Sequence, residues 1–162
     1  MRLALYQPDI PQNTGTMLRM AACLSVAVDI IEPCGFVLND KRMKRSGMDY
    51  LNQTELYTHS SWEAFNKDRD NKSEDQIPSG RLILLSTKAE TSYTDFEFLP
   101  NDTLMVGRES AGVPEEVHNS VDASVLIPMA EGVRSLNIAV SAAMVLGEAL
   151  RQTSGFPSAT RL

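Results

Sequence analysis

A guanidinium, a hydroxyl and a carboxamide occur within four residues where Arg134, Ser135 and Asn137 precede a long apolar segment. The apolar residues of that segment recur at helical spacing, so the three side chains stand at a helix start, where unpaired backbone N–H groups also point outward. We interpret this loop as a candidate active site. The alternative, which the sequence leaves open, is that Ser135 or Asn137 serves only as the helix N-cap.

A second polar pair follows the first predicted strand. Asn13 and Arg19 lie six residues apart, on either side of Gly15. Because this is less than two helical turns, both side chains can face one pocket at the carboxyl end of that strand. The alternative is that Asn13 caps the helix and Arg19 is solvated.

A glycine-rich turn follows another predicted strand and contains one carboxylate, Glu109, between Gly107 and Gly112. The turn is not a P-loop, because no Lys-Ser or Lys-Thr follows Gly112, and the chain has no GxGxxG pattern. Small residues allow the backbone to approach a flat, uncharged base closely. The turn therefore favours a binding loop for such a base.

The cations of this acidic chain, whose formal net charge is −6, are concentrated locally. Four of them fall within five residues: Lys41, Arg42, Lys44 and Arg45. A generally basic nucleic-acid-binding surface is excluded, so any RNA contact must come from such a cluster. The alternative is a solvated helix end.

The elements that must position these residues alternate between strand and helix. Short apolar runs predict strands at residues 2–6, 26–31, 55–58, 82–85, 103–106 and 123–127. Helices are expected from residue 13, from residue 60 and from residue 115, and residues 67–80 are expected to form a surface loop. The β-loop-α-β opening implies parallel pairing, so the fold class is α/β. His59 and His118 are interpreted as structural or surface residues without partners.

The last predicted helix is apolar on two sides. One stripe contains Leu136, Ala139, Val140, Ala143, Leu146 and Leu150, and the other contains Ile138, Ala142, Val145 and Ala149. Such a helix needs two partners, its own sheet and most simply a second copy of the chain. We therefore expect a homodimer with Val145 at the interface.

Length and composition indicate one domain over residues 1–162, with 43% hydrophobic residues and no apolar run long enough to cross a membrane. The two cysteines form no CxxC motif, which predicts a reducing cytoplasm, no disulfide and no metal.

Three loops at predicted strand ends, NTGTMLR, LMVGRESAGVP and LIPMAEGVRSLN, resemble in order and spacing the three motifs of the SPOUT RNA methyltransferases. With EPCGF, KRMKRSGMDY and EALRQ, the chain is similar over nearly its whole length to the small tRNA 2′-O-methyltransferases of the wobble nucleotide. The resemblance implies a mostly parallel sheet flanked by helices, a C-terminal trefoil knot and a homodimer. It also implies S-adenosylmethionine as cofactor and, as substrate, the ribose of cytidine or a modified uridine, in leucine tRNAs.

The resemblance also implies roles for individual residues. The cofactor contacts would fall on Leu85, Gly107, Ile127, Met129, Ser135 and Leu136. The polar catalytic set would be Asn13, Arg19, Glu109 and Asn137. RNA binding would fall on Lys41, Arg42, Lys44, Arg45, Arg108 and Arg134.

The chain departs from the family pattern at three positions. Arg108 replaces the usual Pro, Ala111 a basic residue, and Gly147 an aromatic residue of the last helix. A guanidinium stays protonated and is a poor base, so Arg19 is expected to anchor phosphate and stabilise the oxyanion, with Glu109 positioning it. The alternative functions are ribosomal RNA 2′-O-methylation and a non-catalytic dimer that binds cofactor and RNA.

Overall fold

The computed structural model describes residues 1–38, 55–74 and 80–158. The chain opens with strand β1 (Arg2–Tyr6), helix α1 (Pro11–Cys23) and strand β2 (Ala27–Ile31), and β1 and β2 pair in parallel with Leu3 opposite Val28. The predicted β-α-β opening is therefore confirmed. Helix α1 begins two residues earlier than expected, because Pro11 fits its first turn without an N–H to donate. Asn13 consequently lies inside the helix and does not cap it.

The remaining elements continue the alternation. They are β3 (Leu56–His59), α2 (Trp62–Glu74), β4 (Leu82–Leu85), β5 (Thr91–Ser92), β6 (Thr103–Val106), α3 (Glu115–Ser120), β7 (Ala123–Leu126) and α4 (Ile138–Gln152). The strands form one sheet of order β3-β2-β1-β6-β4-β7-β5, and all its pairs are parallel. The α/β class is confirmed. The carboxyl ends of the strands therefore share one edge of the sheet, where ligands bind in this architecture.

Helices cover both faces of the sheet. One core contains Leu3, Leu5 and Val28 together with side chains of α1 and α4, and the other contains Tyr6, Met105 and side chains of α2 and α3. Strands buried on both faces must be apolar at successive positions, and this is why β1, β4 and β6 read as continuous apolar runs.

The burial of α4 corrects the predicted interface. Val145 is fully buried, so the stripe that contains it is core and does not face a second copy. The exposed apolar side chains lie instead at Leu136 (42% exposed), Val140 (50%) and Met144 (38%). Val140, Ala143 and Met144 lie on one side of α4, and Leu136 lies just before its N-cap; we call these four residues the exposed α4 face.

The region from residue 67 onward was also wrongly predicted. Helix α2 continues to Glu74 where a surface loop was expected, and Arg69 anchors it by donating to the Gly80 carbonyl at 2.9 Å and lying 3.6 Å from the Asp122 carboxylate. The two-residue strand β5 was not predicted at all. Strand β3 lies one residue later than expected.

His59 has partners, contrary to the sequence interpretation. Its Nε2 lies 2.8 Å from Asp29 and its Nδ1 lies 3.1 Å from Asp68, while Arg2 donates to both oxygens of Asp29 at 2.8 and 2.9 Å. We call these four residues the edge cluster, since they join β1, β2, β3 and α2. The interpretation of His59 as structural fits this burial.

Some predictions fall outside this description. The basic cluster Lys41, Arg42, Lys44 and Arg45 lies outside the described residues. The C-terminal trefoil knot stays a prediction. Within the described residues, none of the helices is long and apolar enough to cross a membrane.

Candidate active site

A cavity of about 650 Å³ opens at the carboxyl ends of β4, β6 and β7. The loops after these three strands and the start of α4 form its walls. All of the residues expected to contact a cofactor line it: Leu85, Gly107, Ile127, Met129, Ser135 and Leu136. Three of the four expected catalytic residues line it as well: Asn13, Glu109 and Asn137. The structure thus brings together residues more than 100 positions apart in the sequence.

A chain of hydrogen bonds crosses the rim of this cavity. Asn137 accepts from the backbone N–H groups of Ala139 and Val140 at 2.9 and 3.3 Å, so it is the N-cap of α4. The Asn137 amide also donates to Asn13 Oδ1 at 3.0 Å. Asn13 in turn donates to Glu109 Oε1 at 2.6 Å. Asn137 therefore both caps α4 and lines the cavity.

This series of hydrogen bonds ends at Asp9, a residue that the sequence analysis did not identify. Asp9 Oδ1 accepts from the Glu109 N–H at 3.1 Å, and Asp9 Oδ2 accepts from the Ser110 N–H at 3.3 Å and from the Ser110 hydroxyl. Burial and the hydrogen bond to Asp9 raise the pKa of Glu109 to about 7. Burial would raise the pKa of Asp9 too, but hydrogen bonds from Glu109 and Ser110 hold it at about 2. A hydrogen bond between two carboxyl groups requires a proton on one of them, and the raised pKa assigns that proton to Glu109.

The turn after β6 depends on both of its glycines. Arg108 and Gly112 exchange backbone hydrogen bonds at 3.0 and 2.9 Å, which folds the turn back onto its own start. A Cβ on Gly107 would lie 2.6 Å from the Gly112 carbonyl carbon, and Gly112 itself has a φ of +63°. Gly107 was expected to allow the close approach of a base. In the structure the Gly112 backbone also approaches Gly107 so closely that a side chain at position 107 would not fit.

Arg19 does not line the cavity. It lies on α1 six residues after Asn13, which turns it about 120° away around the helix, and it is exposed. The expectation that both side chains face one pocket is therefore not met in the single chain. The other expected RNA-binding arginines with described positions, Arg108 and Arg134, do line the cavity.

His118 was expected to be structural or on the surface, yet it lines the cavity from α3. Its Nε2 is buried and has no hydrogen-bond partner among the residues that the structure describes. A buried polar nitrogen at a cavity wall is available to a bound molecule. Among the same residues, no group of three or more His, Cys, Asp or Glu side chains is placed to hold a metal ion.

The SpoU rRNA Methylase family matches residues 1–147 of the chain. The chain belongs to this family. The site described above is therefore that of a SpoU family member, and the family is one of RNA methyltransferases.

Relatives of this SpoU protein match nearly its full length. A protein of Beijerinckia indica named tRNA (cytidine(34)-2′-O)-methyltransferase is 61% identical over 151 residues, which cover 93% of this chain and 90% of that one. The Escherichia coli protein of the same name is 35% identical, with 98% and 97% covered.

Two solved structures share the SpoU fold of this chain. One, described as giving structural insights into the 2-OH methylation of C/U34 on tRNA, is 38% identical with a TM-score of 0.86, and the match covers 95% of this chain and 96% of that one. The other is the SpoU methyltransferase AviRb from Streptomyces viridochromogenes in complex with the cofactor AdoMet. It is 25% identical with a TM-score of 0.86, and the match covers 94% of this chain and 60% of that one. The AviRb structure shows that a protein of this fold binds that cofactor.

Proposed function

We propose that the protein transfers the methyl group of S-adenosylmethionine to the ribose 2′-hydroxyl of nucleotide 34 of a tRNA, as the names of its relatives state for them. The observation that carries the proposal is the cavity, whose walls hold the expected cofactor residues and whose rim holds the Asn137–Asn13–Glu109 chain. The cofactor and the polar groups that would meet the ribose thus share one opening.

The cavity suits the cofactor in size and chemistry. Its volume of about 650 Å³ is in the usual range for a ligand of this size. The apolar side chains of Leu85, Ile127 and Met129 suit an adenine ring, and the unpartnered His118 Nε2 offers a polar contact. When bound, S-adenosylmethionine supplies an electrophilic methyl group on a sulfonium sulfur. No metal is needed for that chemistry.

The chain's own residues must hold the ribose hydroxyl in line with that methyl group, at about 3 Å, and ease the loss of its proton. Asn13 and Asn137 each use one amide N–H within the rim, so each keeps a second N–H for the substrate. Arg19 is proposed to anchor an RNA phosphate and to stabilise the developing oxyanion, because a guanidinium remains charged. Its position on the exposed side of α1 suits an incoming phosphate. Its alignment by Glu109 remains part of the proposal.

The RNA is proposed to reach this site along the cavity-lining Arg108 and Arg134, together with the cationic segment that contains Lys41, Arg42, Lys44 and Arg45. The proposed setting is the cytoplasm, where tRNA is modified. The whole chain is proposed to act as one domain, since a single sheet joins elements from β1 to β7.

A second copy of the chain is proposed to cover the exposed α4 face. Leu136, which lines the cavity, belongs to this face, so the site would lie next to the interface. Val140→Asp is expected to convert a dimer into a monomer by light scattering, because it places a charge in an apolar contact. Val37→Asp, at a valine that is 75% exposed, is the control. A dimer that survives Val140→Asp would refute this interface.

The proposed substrate is tested by single-turnover transfer of a radioactive methyl group to tRNA transcripts. Transfer is expected with the natural transcript and is expected to vanish when nucleotide 34 carries a 2′-deoxyribose. Methylation of ribosomal RNA fragments in place of tRNA would overturn the proposal. Cofactor and RNA binding without any transfer would overturn it as well, in favour of a binding module.

Arg19 is tested separately. Arg19→Ala is expected to leave folding and cofactor affinity unchanged and to slow single-turnover transfer by about 10²- to 10⁴-fold, or about 3 to 5 kcal/mol. Arg19→Lys should recover little, because a point charge cannot grip phosphate in a bidentate manner. A lysine variant with the parent rate would refute the proposed anchoring role.

A further inference from the structure

We propose that Asp9 is a positioning residue for methyl transfer, because it ties the turn after β6 to the loop after β1 and holds the Glu109 carboxyl group at the end of the Asn137–Asn13 amide chain. The kinetic consequence of this inference rests on the proposed function. The structural part, the control of Glu109 by Asp9, stands without it.

Hydrogen bonds hold Asp9 against the turn that carries Glu109. Both Asp9 oxygens accept from the N–H groups of consecutive residues, Glu109 at 3.1 Å and Ser110 at 3.3 Å, and the Ser110 hydroxyl donates as well. A carboxylate that accepts from two successive N–H groups fixes the direction of the turn. Asp9 is 100 residues from Glu109 in sequence, so this contact is made by the fold and not by local chain geometry.

Asp9 is held from the opposite side by the loop after β2. The Gly35 N–H donates to the Pro8 carbonyl at 2.9 Å, and a Cβ on Gly35 would lie 2.9 Å from the Asp9 Cα and 3.0 Å from its Cβ. Only a residue without a side chain can approach so closely. The loops that follow the three adjacent strands β2, β1 and β6 therefore meet at Asp9.

The polarity of the hydrogen-bond series is fixed at its α4 end and is compatible with an acceptor at the Asp9 end. Helix N–H groups can only donate, so at the α4 end Asn137 must accept through Oδ1 and donate onward through Nδ2. Asn13 repeats the pattern and donates to Glu109 Oε1. A protonated Glu109 then donates its own proton to Asp9, which as a carboxylate can only accept. The α4 N–H groups thus set the direction in which both amides point, and Asp9 supplies the acceptor at the far end of the hydrogen-bond series.

The charges around Glu109 are consistent with this assignment. Arg108 lies in the same turn, Lys88 follows β4, His118 lies on α3 and Arg134 precedes α4, and all of them line the cavity. Asp9 is the carboxyl group that is hydrogen-bonded to Glu109, and together with burial it raises the pKa of Glu109 to about 7. Removing the Asp9 charge should therefore lower that pKa towards the ordinary value for Glu.

The test uses Asp9→Asn, which keeps the shape of the side chain and removes its charge. The side-chain carboxyl carbon of Glu109, assigned by its loss in Glu109→Gln, is followed by ¹³C NMR as a function of pH. The titration midpoint is expected near 7 in the parent. In Asp9→Asn it is expected at least about one pKa unit lower. Asp9→Glu, which keeps the charge, should restore most of the upward shift.

Single-turnover methyl transfer supplies the kinetic readout. Asp9→Asn is expected to slow transfer by at least about tenfold, with cofactor affinity changed less than about threefold, since Asp9 does not line the cavity. The exposed Asp95, which accepts from the Thr94 hydroxyl at 3.4 Å, provides the control variant Asp95→Asn, expected to match the parent in both measurements.

The outcomes separate the two proposals. An unchanged Glu109 midpoint in Asp9→Asn would overturn the positioning role, as would a parent-like transfer rate. A lowered midpoint in a protein whose parent methylates no tRNA would support the coupling of Asp9 to Glu109 and would instead overturn the proposed function.

Discussion

Two clusters of carboxylates differ in how their charges are balanced. In the edge cluster, Asp29 is 2% exposed and accepts from the Arg2 guanidinium and from a His59 ring nitrogen, and the second ring nitrogen of His59 faces Asp68. In the cavity cluster, which comprises Asp9, Asn13, Glu109 and Asn137, the carboxyl groups meet amides, backbone N–H groups and each other. The carboxylate of the first cluster is matched by an arginine, and the carboxyl groups of the second are matched by neutral donors and by each other.

This difference shows which carboxylates carry structure and which are placed for chemistry. Carboxylates that are paired with an arginine and a buried ring have their hydrogen-bonding capacity filled and contribute to the packing of β1, β2 and β3. A carboxyl group that retains a proton near neutral pH, beside amides with unused N–H groups, can respond to a substrate. Charge balance, more than burial or the number of acidic residues, separates the two.

The largest effect is expected from breaking the edge cluster. Asp29→Ala removes the partner of both Arg2 and His59 and should lower the free energy of unfolding by about 3 to 5 kcal/mol. Glu109→Gln, in the cavity cluster, should change it by less than about 1 kcal/mol. Urea denaturation measures both. Equal losses in the two variants would erase the distinction between the clusters.

An intermediate effect is expected at the turn that carries Glu109. Gly107→Ala forces a Cβ against the Gly112 backbone, where the gap is 2.6 Å, and should weaken S-adenosylmethionine binding by about 10- to 100-fold by calorimetry, or about 1.4 to 2.7 kcal/mol. Gly147→Ala is the matched control, because a Cβ there meets no atom within 4 Å. Parent-like affinity in Gly107→Ala would show that the turn tolerates displacement.

The smallest effect is expected in the pH dependence of stability. The folded state raises the pKa of Glu109 to about 7, so between its ordinary pKa and 7 the folded protein binds more protons than the unfolded chain and stability falls as pH rises. Asp9, whose pKa is about 2, affects stability in a separate pH range. Its contribution to the free energy of unfolding is lost only as the pH falls towards 2.

Glu109→Gln should reduce the fall in stability that accompanies a rise in pH from the ordinary pKa of Glu to 7. Because the site is partly open to solvent, the loss of stability between about pH 5 and about pH 8 should shrink by only about 1 kcal/mol. Urea midpoints at the two pH values give the measurement, with the exposed Glu90→Gln as control. If both variants followed the parent curve, Glu109 would not titrate in this range.

The sequence was sufficient for six of the seven strands and for the expected cofactor residues that line the cavity, and the reasons are physical. Strands buried on both faces must be apolar throughout, so β4 and β6 were predicted with correct ends. The C-terminal half of α2 was missed because, among the side chains of α2 that the structure describes, the two that pack into the core are Trp62 and Phe65, near its start. No apolar stripe marks its later turns.

The remaining differences come from contacts that are distant in sequence. Helical periodicity shows that α4 has two apolar stripes but not which one meets the sheet, so Val145 was wrongly assigned to the dimer interface. Asp9 between two prolines reads as a turn residue, and nothing local points to its partner 100 residues away. Its only sequence signal is a short polar side chain at the end of a buried strand.

The residues that form hydrogen bonds along the rim are far apart in sequence, and this affects how the protein folds during its synthesis. Asn13 meets Glu109 across 96 residues and Asn137 across 124. Closing such long loops costs entropy before any contact forms, so these bonds come late in folding. A nascent polypeptide on the ribosome can pair β1 with β2 long before α4 has emerged. The hydrogen bond between Asn13 and Asn137 cannot form until then. The hydrogen bonds along the rim are therefore completed only after α4 has been synthesised.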